Sequence, residues 1–119
     1  MPLSELGPFA DGGLLVLASL AGGPKHGYAM LEDIQTLAGV RMGPGTLYTT
    51  LARLQQRGWI EALPTEERRH PYRLTGAGGV VLRQQLLRLE GFAAAGLARV
   101  GRDRGTASGA APVEGQGAR

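Results

Sequence analysis

The stretch from Met42 to Arg73 constrains this chain most, because both ends of a helix are marked within it and a hairpin comes directly after. Gly43 suits an N-cap, and Pro44 suits the first helical position, where its missing N–H would be unpaired anyway. Gly58 supplies the left-handed residue that ends a helix. Between those marks Leu47, Leu51 and Leu54 fall at i, i+4 and i+7, which places them on one face for burial. The opposite face carries Thr46, Thr49, Thr50, Arg53, Gln56 and Arg57, without a carboxylate among them. Such a helix can enter a major groove, with Arg and Gln on base edges and Thr and Arg on phosphates. A solvated basic face is the plainer reading of the same residues.

The residues after this helix favour the groove. Ile60 and Ala62, then Tyr72 and Leu74, alternate as short strands around Pro64-Thr-Glu-Glu-Arg-Arg-His70, which predicts a β-ribbon with Arg68, Arg69 and His70 at its tip. Glu66 and Glu67 precede those cations and would be repelled by phosphates unless they turn away or pair with Arg68 or Arg57. Trp59 either anchors the base of the ribbon or lines a small-molecule pocket. A helix leading into a basic ribbon is the plan of a winged helix, so the expected class is mainly α with a small β-hairpin.

The chain resembles the PadR-like transcriptional regulators. The resemblance rests on Pro24-Lys-His-Gly-Tyr28, on Gly45-Thr-Leu-Tyr48 with Leu51, Leu54 and Gly58 in register, and on Tyr72-Arg-Leu-Thr75, and it covers roughly Leu14 to Leu89. It implies a winged helix-turn-helix, a homodimer built on the C-terminal helix, and repression by binding double-stranded operator DNA. It also places the tyrosine at position 48 near DNA and tips its ring towards partial burial with the hydroxyl outward; geometry alone leaves a phosphate contact and packing on the preceding helix equally open.

Upstream, Asp11 can cap a buried helix over Leu14–Leu20 that Gly22-Gly-Pro24 stops. Residues 1–10 carry no pattern and are expected to be a flexible N-terminus, ahead of a DNA-binding domain over 11–75. A second helix starts near His26, with Tyr28, Leu31, Ile34 and Leu37 or Ala38 expected inward and Glu32, Asp33 and Gln35 outward. Lys25 and His26 stand at its start, where the helix dipole favours a phosphate; His26 can equally be a capping or packing histidine. Arg41, in the turn before the punctuated helix, can reach the DNA backbone.

Thr75 can cap the last helix, whose first turn Gly76, Gly78 and Gly79 weaken. From there Leu82, Leu86, Leu89, Ala93, Gly96 and Val100 step by four and three alternately, the pattern of a helix packed along another helix. With Phe92, this stripe is read as a dimer seam over residues 76–100; folding back on its own domain is the alternative. Residues 101–119, rich in Gly, Ala and Arg, are expected to be a disordered tail.

Charge agrees with a nucleic-acid partner. The net charge is +3, but residues 1–40 balance at −3 and residues 41–73 at +3, so positive charge gathers where the groove-reading elements lie. The absence of cysteine excludes disulfides and thiolate metal sites, and no apolar run is long enough to span a bilayer, so a cytoplasmic location without a membrane partner is expected. Enzyme motifs fail. Gly22 to Gly27 have phosphate-loop spacing, but Tyr28-Ala29 stands where Lys-Ser or Lys-Thr is required. His26 and His70 lie in separate elements without metal-binding partners, so neither a cofactor nor a catalytic group is expected. The expected function is therefore a sequence-specific transcriptional regulator, a homodimeric repressor on an inverted-repeat operator. The alternative is a winged-helix protein-interaction module that has lost DNA binding; a small-molecule effector, if there is one, is not identified.

Overall fold

The computed structural model describes residues 12–64 and 70–108, with side chains through 101. In order, the elements are α1 (Gly13–Ala21), α2 (Gly27–Ala38), α3 (Pro44–Gln56), β1 (Ile60–Ala62), β2 (Tyr72–Leu74) and α4 (Gly76–Ser108). The chain divides into two compact units that part between Arg83 and Gln84. The expected class, mainly helical with one hairpin and a winged helix-turn-helix, is the one found.

Helix α1 is the centre of the first unit. Leu14, Leu15, Val16, Leu17 and Leu20 are all buried in it, and α2, α3 and β2 pack around it. Its N-cap is Gly12, in the left-handed region at φ 76°, rather than the expected Asp11, which lies outside the described residues. A Cβ at Gly12 would stand 2.7 Å from Met42 Cε, the movable end of a side chain, so it is the left-handed φ that calls for glycine there.

Helix α2 buries Gly27, Met30 and Ile34. Of the expected inward stripe Ile34 is buried and Leu31 and Ala38 are half-buried, but Tyr28 is 73% exposed and Leu37 is also largely in solvent. Gly27, Met30 and Ile34 are themselves spaced i, i+3 and i+7, so the buried face shares Ile34 with the expected stripe and takes Gly27 and Met30 in place of Tyr28 at its start. Gly39 closes α2 in the left-handed region. Helix α3 obeys its sequence signals closely: Gly43 is the N-cap, Pro44 takes the first turn, and Gly58 turns the chain at φ 76°. Leu47, Leu51 and Leu54 are buried as expected.

Strands β1 and β2 pair antiparallel, Ile60 with Leu74 and Ala62 with Tyr72. The ladder continues as Leu63 N–H donates to Pro71 O at 2.8 Å. A third stretch of chain joins on the other side of β2. Lys25 N–H donates to Tyr72 O at 3.1 Å, and Tyr72 N–H to Lys25 O at 2.9 Å. The ribbon is thereby tied to the segment that leads into α2.

Thr75 caps α4 as its sequence position suggests, accepting from Gly78 N–H at 3.1 Å, while its own hydroxyl donates to Gly58 O at 2.6 Å. Gly78 is more than a weak helix former: a Cβ there would overlap Trp59 O. The helix continues past Val100 to Ser108 instead of giving way to an irregular tail at Gly101. Once a helix is nucleated, each further residue adds a hydrogen bond, which carries it through single glycines. Residues 109–119 lie outside the described part of the chain. No helix among the described residues is long and apolar enough to cross a membrane.

Candidate nucleic-acid interface

Four of the expected contact residues form the outer face of α3. Thr46, Thr49 and Gln56 are exposed and Arg53 is half-buried, at i, i+3, i+10 and i+7, so they share one side of the helix. Helix α3 contains no acidic residue, and Gly43 offers its first turn no side-chain cap. Backbone N–H groups and the positive end of the helix dipole therefore sit beside Thr46, where they favour an anion. Arg41 is exposed in the loop before α3, and Arg57 is exposed at its C-cap.

Thr50 does not belong to this face. It is 2% exposed and lies with Leu47, Leu51 and Leu54 on the inner side of α3, where its hydroxyl approaches Gly12. Its spacing from Leu47 and Leu54 is i+3 and i−4, which marks the buried stripe as clearly as the leucines do. A DNA contact through Thr50 is thereby removed.

Tyr48 is 55% exposed, in keeping with partial burial, but its hydroxyl is not directed outward. It lies over the start of α2, where a Cβ on Gly27 would stand 2.7 Å from Oη and 3.3 Å from Leu47 Cδ2. The glycine at position 27 makes room for the phenol. Tyr48 also stands close enough to Tyr72 to bear on its ionisation. The Tyr72 hydroxyl is held above its ordinary range of about 10, first by burial and then by the neighbouring Tyr48.

Lys25 is engaged within the fold. Its ammonium donates to Ser19 O at 2.5 Å and Gly23 O at 3.3 Å, and lies 3.8 Å from Asp33 Oδ2. Buried Ser19 donates to the same carboxylate oxygen at 2.7 Å. A lysine on the last carbonyls of α1 also complements the negative end of that helix dipole. Phosphate binding would have to compete with these bonds, which hold Lys25 against α1 and α2. His26 caps α2 through its backbone, with Met30 N–H donating to His26 O at 3.0 Å and no bond from its side chain to the helix end. Its Nδ1 is buried without a hydrogen-bond partner among the described residues. Of the two expectations for His26, packing is the one this environment fits.

The wing is described at its base. Arg68 and Arg69, like Glu66 and Glu67, lie outside the described residues, and His70 is exposed beside them. Arg73 and Glu61, directly opposite each other in the ladder, form an ion pair through Arg73 Nε. Trp59 anchors the ribbon: its N–H donates to Leu54 O at 3.1 Å, and its carbonyl accepts from Thr75 N–H at 3.0 Å. The Arg57 guanidinium carbon lies 5.1 Å from the centre of the Trp59 ring. Sequence spacing gives no sign of this pair, because the turn at Gly58 brings it together.

The expected seam divides. Leu82 is buried in the first unit, whose core it completes, so it is not available to a second chain. Along α4 in the second unit Leu89 and Gly96 are half-buried, while Leu86, Phe92, Ala93 and Val100 are exposed. Phe92 is 78% exposed, and Leu97, which the stripe spacing passes over, is 71% exposed.

Comparison with known proteins agrees with this architecture. Residues 16–84 match the family described as the transcriptional regulator PadR-like family. An uncharacterized 37.1 kDa protein in a transposon of Streptomyces fradiae is 43% identical over 75 residues, which cover 63% of this chain. They span 22% of that relative, so the likeness concerns a minor part of it. A transcriptional regulator from Clostridium thermocellum superposes with a TM-score of 0.61 at 27% identity, covering 68% of this chain and 82% of that one. A PadR family regulator from Clostridium difficile gives a TM-score of 0.64 at 19% identity over 70% of this chain and 91% of its own, which speaks to the fold.

Proposed function

Because this chain belongs to the PadR-like family of transcriptional regulators, we propose that it is a homodimeric repressor whose α3 reads an inverted-repeat operator in the major groove. The observation that carries this reading is the outer face of α3: solvent-facing, free of carboxylates, and lying beside an N-terminus with no side-chain cap. In this role Arg53 and Gln56 meet base edges, Thr46 and Thr49 meet bases or phosphates, and Arg41 and Arg57 hold the backbone. Arg68, Arg69 and His70 lie over the adjoining backbone or minor groove. The dimer seam runs along α4 from Leu86 through Leu89, Phe92, Ala93 and Gly96 to Val100. Apolar side chains as exposed as Phe92 and Leu97 on one helix support a partner there, since burying each is worth about 1.5 to 3 kcal/mol. Action on DNA implies a cytoplasmic location.

Two-fold symmetry sets the test. Duplexes selected by the protein from a random pool, at two salt concentrations, should share an inverted repeat with half-sites about one helical turn or a multiple apart. Selection without any shared sequence, or with a single unrepeated site, would overturn the operator reading.

A further inference from the structure

We propose that Trp59 is a positioning residue for DNA, holding the Arg57 guanidinium ready for a backbone phosphate at the junction of α3 and the wing; this rests on the DNA-binding reading above. Three observations carry it.

The first is the stack itself. Gly58, at φ 76°, reverses the chain so that residues 57 and 59 fall on the same side, with the guanidinium carbon 5.1 Å from the ring centre. That is within the range at which a cation is drawn to an aromatic face. An attraction to a ring face uses none of the guanidinium's N–H groups as donors to a carboxylate, so they can still grip a phosphate by two bonds.

The second is the rigidity of the platform. The backbone N–H and C=O of Trp59 are both hydrogen-bonded, to Leu54 and Thr75. Gly78 presses so closely on its carbonyl that a Cβ would overlap it, and the next residue, Ile60, is buried. The ring is mounted on the end of α3, the start of β1 and the first turn of α4 together. An arginine resting on it loses less freedom when it binds than one on an unsupported stem.

The third is charge. Lys25 and Arg73 each face a carboxylate, Asp33 and Glu61, which offsets their charge. Among the described residues the partner of Arg57 is a neutral ring, which fixes the position of the cation without cancelling it. A residue placed merely to stabilise the turn would gain as much from a carboxylate; one that must attract an anion needs an uncharged support.

The test measures binding of the full chain to a labelled duplex of arbitrary sequence, across a range of salt, because a phosphate contact is independent of sequence. Arg57→Ala should weaken binding about tenfold and make the slope of log affinity against log salt shallower by about 1. Trp59→Leu should weaken it about two- to fivefold, and Trp59→Phe, which keeps an aromatic face, should restore most of that. In the Arg57→Ala background Trp59→Leu should add nothing. Multiplying effects of the two substitutions, or Trp59→Phe as weak as Trp59→Leu, would overturn the positioning role. So would unchanged binding by Arg57→Ala; absence of binding by the wild type would instead overturn the DNA reading beneath it. Should Trp59→Leu fail to fold, the emission of Trp59, the sole tryptophan of the chain, gives a second readout. Duplex should shift it in the wild type and not in Arg57→Gln, and equal shifts in both count against the proposal.

Discussion

Gly27 and Gly78 each stand in the first turn of a helix, yet they differ in what a methyl group would meet. At Gly27 the neighbours are the ring end of Tyr48, a half-exposed side chain that can swing away, and Leu47 Cδ2 at 3.3 Å, which must give by a few tenths of an ångström, while alanine recovers up to about 1 kcal/mol of helix propensity. Gly27→Ala should therefore change the stability by no more than about 1 kcal/mol. At Gly78 the obstacle is the backbone carbonyl of Trp59, fixed by its own hydrogen bond, and Gly78→Ala should destabilise by about 2 to 4 kcal/mol. Urea midpoints of the two variants check the contrast. Tyr72 supplies a dependence on pH. Its folded hydroxyl holds the proton to a higher pH than the unfolded one, so this contribution to stability is present below about pH 10 and is lost as pH rises through the folded pKa. Tyr72→Phe should flatten the alkaline loss, and thermal unfolding between neutral pH and about pH 11 would show it. Single residues are unevenly legible in the sequence. Leu47, Leu51 and Leu54 declare themselves by spacing, whereas the hydroxyl of Thr50 suggests an outward place although its spacing points inward.

Elements are legible where glycine and proline punctuate them. Helix α3 ends where Gly43, Pro44 and Gly58 mark it, because a left-handed turn and a fixed proline φ are local demands that any context must meet. The inward face of α2 is only partly legible from its apolar residues: Ile34 is buried as its spacing suggests, but Tyr28 and Leu37 are exposed and the close approach is made by a glycine. Lys25 looks like a phosphate ligand in the sequence for a related reason: its partners Ser19 and Asp33 come from two different helices and meet it only in the folded chain. The division of labour along α3 is open to a direct check. Arg53, on the face shared with Thr46, Thr49 and Gln56, should govern sequence preference. Arg53→Ala is expected to lower affinity for the selected operator by about 1 to 3 kcal/mol while sparing random duplexes. Competition binding with both duplexes measures it, and an equal loss on both would move base reading away from Arg53.

For the whole molecule the decisive question is how many chains act together. Stripe spacing along α4 points to a seam from Leu82 onward, but Leu82 belongs to the core of the first unit, and the unclaimed apolar side chains of the stripe begin at Leu86. Leu86→Glu together with Leu89→Glu should give a monomer by sedimentation and lose operator binding, with the far-ultraviolet helical signal retained. A dimer persisting in that variant would place the seam elsewhere. The fold itself is legible because local signals and one family resemblance agree. The contacts that complete it are not: Arg57 meets Trp59 through the conformation of the turn at Gly58, and Lys25 meets Asp33 only when the elements come together.

The pair of backbone bonds between Lys25 and Tyr72 bears on how such a protein would meet a duplex. By fastening the wing strand to the entrance of α2, it holds the base of the ribbon against the helices, so that, with α3 in the groove as proposed, the opening between α3 and that base would be set before any DNA arrives. Duplexes whose groove widths already match that opening can be gripped without deformation, and stiffer or wider ones must themselves bend to fit. Selectivity would then arise partly from the mechanics of the DNA, at base pairs no side chain touches.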